Sequence, residues 1–163
     1  METETTQTPT TETLRVLVAD DEQGMRQGMC RAVSHLKLRV PEVEREIRFE
    51  VSEASDGPSA IAKLESRSFD ILLLDHKMPD LSGLDILDRL REEEIPVVTV
   101  MITGFASLET AVTATSRGAY DFLAKPFTPA DLSEVLCKAA TLVALKKEVQ
   151  RLKALCCQAA SGS

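Results

Sequence analysis

The stretch that decides the fold is "FDILLLDHKMPDLSG", Phe69 to Gly83. Its apolar run is continuous rather than alternating, the pattern of a strand covered on both faces, and it predicts a buried strand over 70–74. The run ends on a carboxylate, Asp75, and then on loop-forming Pro79, Asp80 and Gly83. A doubly covered strand has no structural use for a charge at its tip. The rest of the chain has to explain why Asp75 is there.

Upstream, "LRVLVADD" is a second short apolar run, predicting a strand over 14–19 that ends on Asp20 and Asp21. Met25, Met29, Val33 and Leu36 recur at helical spacing after it. "KLRVPEVEREI", charged and broken by Pro41, reads as a loop. "IRFEVSEAS" alternates Ile47, Phe49 and Val51 with polar neighbours, which predicts a half-exposed strand at a sheet edge. A helix follows, with Pro58 at its start and Ala60, Ile61 and Leu64 on its apolar face.

Downstream of Asp75, Leu84, Leu87 and Leu90 mark a short helix, and "IPVVTVMITG" a buried strand over 97–102. "SLETAVTATSRG" predicts a helix closed by Gly118, and "AYDFLAKPF" a fifth strand. From Thr128 onward no breaker follows Pro129, so one unusually long helix is expected. Residues 1–13, "METETTQTPTTET", read as a disordered tail. Strand and helix thus alternate five times, which implies a parallel sheet with helices on both faces. An edge position for the second strand favours the flavodoxin-like order 2-1-3-4-5, an α/β doubly wound fold. In that order ligands sit beyond the carboxyl ends of strands 1 and 3.

The 163 residues are 44% hydrophobic but only 4% aromatic, which suits an aliphatic core that needs no staples. A net charge of -7 argues against direct nucleic-acid binding or an anionic membrane partner. No apolar run approaches membrane-spanning length, and no secretory signal opens the sequence. Cys30, Cys137, Cys156 and Cys157 fit neither a disulfide framework nor a zinc site, so a reducing cytoplasm is expected.

The predicted strand ends gather Asp20 and Asp21, Asp75, Thr103, and Lys125 with Pro126 at one edge of the sheet. Singly, each is ordinary turn or cap chemistry. Together they place three carboxylates where they repel and tend to hold their protons. A hard divalent cation relieves this, and Mg2+ on oxygen ligands normally takes one or two carboxylates plus a phosphate. A carboxylate can itself accept the phosphoryl group, and Asp75, flanked by the other clusters, is the candidate. Lys125 would neutralise phosphoryl charge, and the Thr103 hydroxyl would donate to it.

These pieces resemble the receiver domain of bacterial two-component response regulators. The matching stretches are "VLVADDE", "EASDGPSAI", "DILLLDHKMPDLSGLDIL", "VVTVMITGFAS" and "GAYDFLAKPF", over about 14–140. The last two look most like receivers of the nitrogen-regulation activators that work with sigma-54 polymerase. The resemblance implies that Asp75 accepts phosphate from a sensor histidine kinase. It implies that Asp21 ligates Mg2+ directly, that Asp20 acts through water, and that the Lys77 backbone carbonyl is a further ligand. Thr103 and Lys125 match the switch hydroxyl and the phosphate-pairing lysine. Phe122 matches the switch aromatic, although plain strand packing explains it equally well. Lys125–Pro126 matches a peptide bond that is typically cis. Lys77 and Phe105 fall where side chains control water access to the phosphoryl group. Neither suits orienting water, so a long-lived adduct is expected.

Two departures stand out. The segment between the first helix and the second strand is about ten residues longer than usual. No ATPase module or helix-turn-helix follows in this sequence, so output by direct DNA binding is not expected of it. Two other readings remain open: a metal-dependent phosphohydrolase and a phosphorylation-independent dimerisation adaptor. Haloacid dehalogenase-like phosphohydrolases need a carboxylate two residues past the nucleophile, where Lys77 stands. Beyond the receiver, 141–163 is expected to be a helical extension. Leu142, Leu145, Val149, Leu152, Cys156 and Ala159 repeat at coiled-coil spacing, predicting a parallel homodimer seam in which Glu148 meets Lys153 of the partner helix.

Overall fold

The computed structural model describes residues 10–104 and 108–161. Strand β1 (Thr10–Ala19) leads into helix α1 (Gln23–Ser34), strand β2 (Lys37–Val40), a 3-10 turn (Pro41–Val43) and β3 (Arg45–Ala54). Then come α2 (Gly57–Ser66), β4 (Ile71–Asp75), α3 (Gly83–Glu92), β5 (Val98–Thr103), α4 (Leu108–Ser116), β6 (Asp121–Ala124) and α5 (Pro129–Ser161). The sheet order is β2-β3-β1-β4-β5-β6. All neighbours run parallel except β2 against β3. The five parallel strands have the flavodoxin-like order expected from the sequence.

The sheet has six strands rather than five. The segment read as a loop holds β2, which pairs antiparallel with β3 from Lys37↔Arg48 to Val40↔Arg45. Val40 is buried and Leu38 packs beside it, so this piece alternates as a strand does, but over only four residues. Glu44 closes the hairpin with a left-handed φ of 51°. The strand expected at the edge is therefore interior. Of the expected tail, residues 1–9 lie outside the described residues, and Thr10–Thr13 belong to β1 instead, because β3 reaches back to pair Thr10 with Arg45.

Alternate residues of the central strands feed two cores. Ile71 and Leu73 face α1 and α5, while Leu72 and Leu74 face α2, α3 and α4. Local signals start the helices where the site needs them. The Asp56 carboxylate accepts from Ser59 N at 2.7 Å to cap α2. Ser82 and Asp85 form a capping box that starts α3. A Cβ at Gly83 would lie 2.7 Å from the Asp75 carbonyl oxygen, so the glycine lets α3 begin directly against the end of β4.

The packed part of α5 runs past the expected boundary at 140, since Val143 and Ala144 are buried. Beyond them the helix is held by charge. At the end of the sheet away from Asp75, the Glu12 carboxylate meets Arg45 at 3.1 Å and Lys147 at 3.7 Å. Lys147 also meets Asp70 at 3.1 Å, and Arg45 reaches Glu148 at 3.7 Å. The extended β1 and β3 thus present a clasp to the extended helix. Glu12→Gln removes the negative charge shared by Arg45 and Lys147. It is expected to cost about 1 kcal/mol and to speed amide hydrogen exchange in α5 beyond Val143 while leaving Leu132–Ala140 unchanged. Uniform exchange along α5 in the variant would show that the clasp does not hold the helix.

Candidate functional site

The carboxyl ends of β1 and β4 and the last residues before α5 converge on one cluster of charge. Asp20 is fully buried and Asp75 nearly so, at 0% and 5% exposure. Lys125 Nζ lies between them, 3.3 Å from Asp20 Oδ2 and 3.4 Å from Asp75 Oδ1. Asp20 is held by its neighbours: Oδ1 accepts from Glu22 N at 2.9 Å, and its own N–H donates to the Ala54 carbonyl at 3.1 Å. Arg26 donates to the Asp20 carbonyl at 2.8 Å and pairs with Glu53 at 3.4 Å. After Asp75, His76 N donates to the Ile102 carbonyl at 2.8 Å, continuing the β4–β5 ladder beyond the carboxylate. Thr103 is buried at the end of β5, one strand over.

Electrostatics at this cluster are unbalanced. Burial, then the Asp20 charge, push the Asp75 carboxyl up to about 6, although Lys125 pulls the other way. Burial alone would lower the Lys125 ammonium, but Asp20 and Asp75 outweigh it and raise its pKa. Asp20, Asp21 and Asp75 each offer an oxygen, all within 4.8 Å of one another. An all-oxygen, over-negative cluster fits a hard divalent cation such as Mg2+. His76 Nδ1 is buried without a hydrogen-bond partner among the described residues, and burial followed by the Lys77 charge lowers the imidazole pKa.

The family profile of the response regulator receiver domain matches residues 16–137. The chain belongs to the response regulator receiver family. Relatives agree. The chain is 30% identical to the regulatory protein AtoC of Escherichia coli K12 over 138 residues, 85% of this chain and 28% of that one. It is 38% identical to the nitrogen assimilation regulatory protein NtrX of Azorhizobium caulinodans over 104 residues, 63% of this chain and 23% of that one. The receiver thus spans only about a quarter of these relatives' length. Among solved structures, a CheY-like receiver from Methanospirillum hungatei superposes with a TM-score of 0.70 at 27% identity, covering 83% of this chain and 99% of that one. NtrX from Brucella abortus in complex with ATP gives 0.70 at 34% identity, covering 85% of this chain and 29% of that one. Receivers of this family act in two-component signal transduction.

Of the residues singled out in the sequence, the fold of the receiver brings Asp20, Asp21, Asp75 and Lys125 together. Thr103 pairs in register with Ala124, next to Lys125. Lys77 is exposed in the loop two residues past Asp75. Phe122 is half-buried against the α2–α4 core, and the Lys125–Pro126 bond is cis. Phe105 lies outside the described residues. Sequence reasoning missed Arg26, whose contact with the Asp20 backbone depends on the chain turning from β1 into α1. Its position six residues past Asp20, on the first helix, was the available signal.

The raised Asp75 carboxyl makes stability depend on pH in a fixed direction. The metal-free folded receiver holds a proton there that the unfolded chain releases near pH ~4. Stability should therefore fall as pH rises from about 4 to about 6, and stay lower above that. Asp75→Asn removes the ionisation. Its stability should be flatter across that window and higher at pH 7 by on the order of 2 kcal/mol. Urea denaturation in a chelator at pH 4.5 and pH 7 measures this. Equal gains at both values would show that the buried charge is not the source.

Proposed function

We propose that Asp75 accepts a phosphoryl group from a sensor histidine kinase and that the receiver then changes its contacts with partners. The observation that carries this is the Asp75 carboxylate fixed at the end of a buried central strand with Lys125 Nζ 3.4 Å away. In the transfer, an Asp75 oxygen bonds to phosphorus as the P–N bond to the kinase histidine breaks. The imidazole leaves with the bonding electrons and takes a proton from solvent. Asp21, Asp75 and the Lys77 backbone carbonyl would hold Mg2+, with Asp20 acting on it through water. When bound, the ion supplies counter-charge for the phosphoryl oxygens. Lys125, already aimed at Asp75, pairs with the added charge, and the Thr103 hydroxyl donates to it. Phe122, on the strand that ends just before Lys125, follows the change into the half-buried space beside α4.

An apolar hollow of about 400 Å3 supports a docking partner. It lies between α1 and the start of α5, against Met25, Met29 and Phe127, and Gly24 and Gly28 leave its wall low. Its apolar lining suits the apolar face of a partner helix.

Acetyl phosphate with Mg2+ is expected to place one phosphoryl group on Asp75, detectable by intact mass. Asp75→Asn should take none, and chelation of Mg2+ should stop the labelling. Steady release of phosphate without an adduct would point to a hydrolase instead. Lys125→Ala should still be labelled but lose the conformational response, read as phosphorylation-dependent shifts of the β6 and α5 amides. A full response in that variant would remove Lys125 as the reporter.

The long helix supports a homodimer. At 100° per residue, Leu145, Val149, Leu152 and Cys156 fall on the face opposite the one α5 buries in its own domain. They are exposed, Leu145 at 40%, Val149 at 49% and Leu152 at 53%. Two parts of the expected seam are corrected. Leu142 packs partly on its own core, so the free stripe begins at Leu145. Glu148 is already paired with Arg45 and with Arg151, the latter at 2.8 Å, so it is not free to meet Lys153 of a partner. The Ala159 side chain lies outside the described residues. Mild oxidation is expected to give a covalent dimer that Cys156→Ser weakens and Cys157→Ser does not. A monomer in sedimentation at high concentration, phosphorylated or not, would overturn the dimer.

A further inference from the structure

A cavity of about 570 Å3 lies at the end of the sheet away from Asp75. That volume falls within the range of small-molecule sites, about 300–1,000 Å3. Three separate segments wall it: the α2–β4 connection, the turn before β5, and the part of α5 from Val143 to Gln150. A helix that stopped at Ala144 would leave it without its third wall. The clasp holds that wall in place, because Lys147 of the lining is fastened to Asp70 and Glu12.

The floor is apolar. Phe69, Val98 and Val143 are buried beneath it, and the Arg15 guanidinium sits 5.5 Å from the centroid of the Phe69 ring, so the ring is fixed from one side. Charge around the rim does not cancel evenly. Asp70 is taken by Lys147, and Glu65 is drawn to Arg89 at 3.7 Å. Arg67 and Lys146 line the same cavity and are exposed, and their side chains have no ion pair or hydrogen bond among the described residues. In a chain of net charge -7, two side-chain cations free of partners among the described residues on the lining of one cavity are a concentrated positive feature.

We propose that this cavity binds a small organic anion, a carboxylate or phosphate monoester on an apolar body, with Arg67 and Lys146 taking the charge and the floor beside Phe69 and Val143 taking the body. The site is separate from the phosphoryl-accepting carboxylates and does not depend on their assignment. Because α5 forms one wall, an occupant bridges the extended helix to the domain and restrains the segment that clasp and cavity share.

The test uses the full chain in Mg2+-free buffer, with amide chemical shifts as the readout. The probes are 1-naphthoate and 1-naphthyl phosphate, with 1-naphthalenemethanol as the neutral analogue and inorganic phosphate as the bare anion. At least one aromatic anion is expected to bind with a Kd of about 0.1–1 mM, shifting amides of Arg67, Val97 and Lys146. The Arg67→Glu/Lys146→Glu variant should bind it about tenfold or more weakly, and Arg67→Lys should keep most of the affinity. Both side chains are exposed, so the fold tolerates the reversal. Asp75→Asn should bind as wild type does, which separates this site from the other end of the sheet. Amide exchange in α5 from Leu145 to Leu152 should slow on binding. The proposal is overturned if the neutral analogue binds as tightly as the anions, if inorganic phosphate alone binds as tightly, or if neither aromatic anion binds below 10 times that Kd.

Discussion

The receiver's functional end depends on charge that is buried before it is balanced. Asp20 and Asp75 lie at the ends of adjacent strands with essentially no water around them, and Lys125 is the cation bonded to both. Its attraction is not enough. The Asp75 carboxyl still titrates near 6, so burial and the Asp20 charge together outweigh the ammonium. An isolated apolar pair in those positions would be more stable, because buried charge rarely repays its desolvation. The cluster therefore keeps a standing demand for positive charge, and a metal or a rearranged lysine meets it. A site balanced in the resting state would have nothing to gain from either.

Parallel topology gives that cluster its place and also gives the molecule a second end. Every parallel strand delivers its carboxyl terminus to the Asp75 side. The opposite side collects strand beginnings, where β1 and β3 run on past the core and the β2 hairpin folds back. Those extensions add little apolar burial, since Thr10, Thr11 and Thr13 are exposed. What they add is position: Glu12 and Arg45 arrive beside Lys147 and Glu148 of α5. The longer segment between α1 and β3 and the longer α5 are thus two sides of one joint. Val43 and Leu38 pack into the same core as Leu142, which closes the joint from the apolar side.

How far the sequence could be read follows the range of each interaction. Continuous apolar runs ending on Asp20, Asp75 and Thr103 are local patterns, and they mark three of the parallel strands and the cluster at their ends; the order rested on an edge position for the second parallel strand, which β2 takes instead. The β2 strand was lost because "KLRV" offers only two turns of alternation before Pro41, too short for a period to show. Thr10–Thr13 read as tail because a Thr-rich piece has no period of its own; it becomes strand only because β3 is long enough to pair with it. The clasp and the second cavity were not legible at all. Glu12, Arg45, Asp70 and Lys147 are scattered over the chain as ordinary surface charges, and only the register of β1 on β3 and the length of α5 bring them together.

The helix α5 is what makes the two ends one system. It starts four residues past Lys125, at Pro129, and its buried stripe from Leu132 to Ala144 packs with α1 in the core on one face of the sheet. Its remaining turns number about five at 3.6 residues each, too few to stay helical on propensity alone. Their persistence needs a support, and the clasp supplies one toward the domain, while the apolar stripe at Leu145, Val149 and Leu152 is exposed on the other side. Under the proposed function, Lys125 drawn toward a phosphoryl group moves the chain immediately ahead of α5. A rigid helix carries such a displacement undiminished to its far end. There the clasp resists it through ion pairs worth about 1 kcal/mol or less each, of the size that a partner or ligand can overcome. Under that proposal the weakness of those pairs serves the response: a fully apolar joint would hold the helix just as straight, but it would not yield.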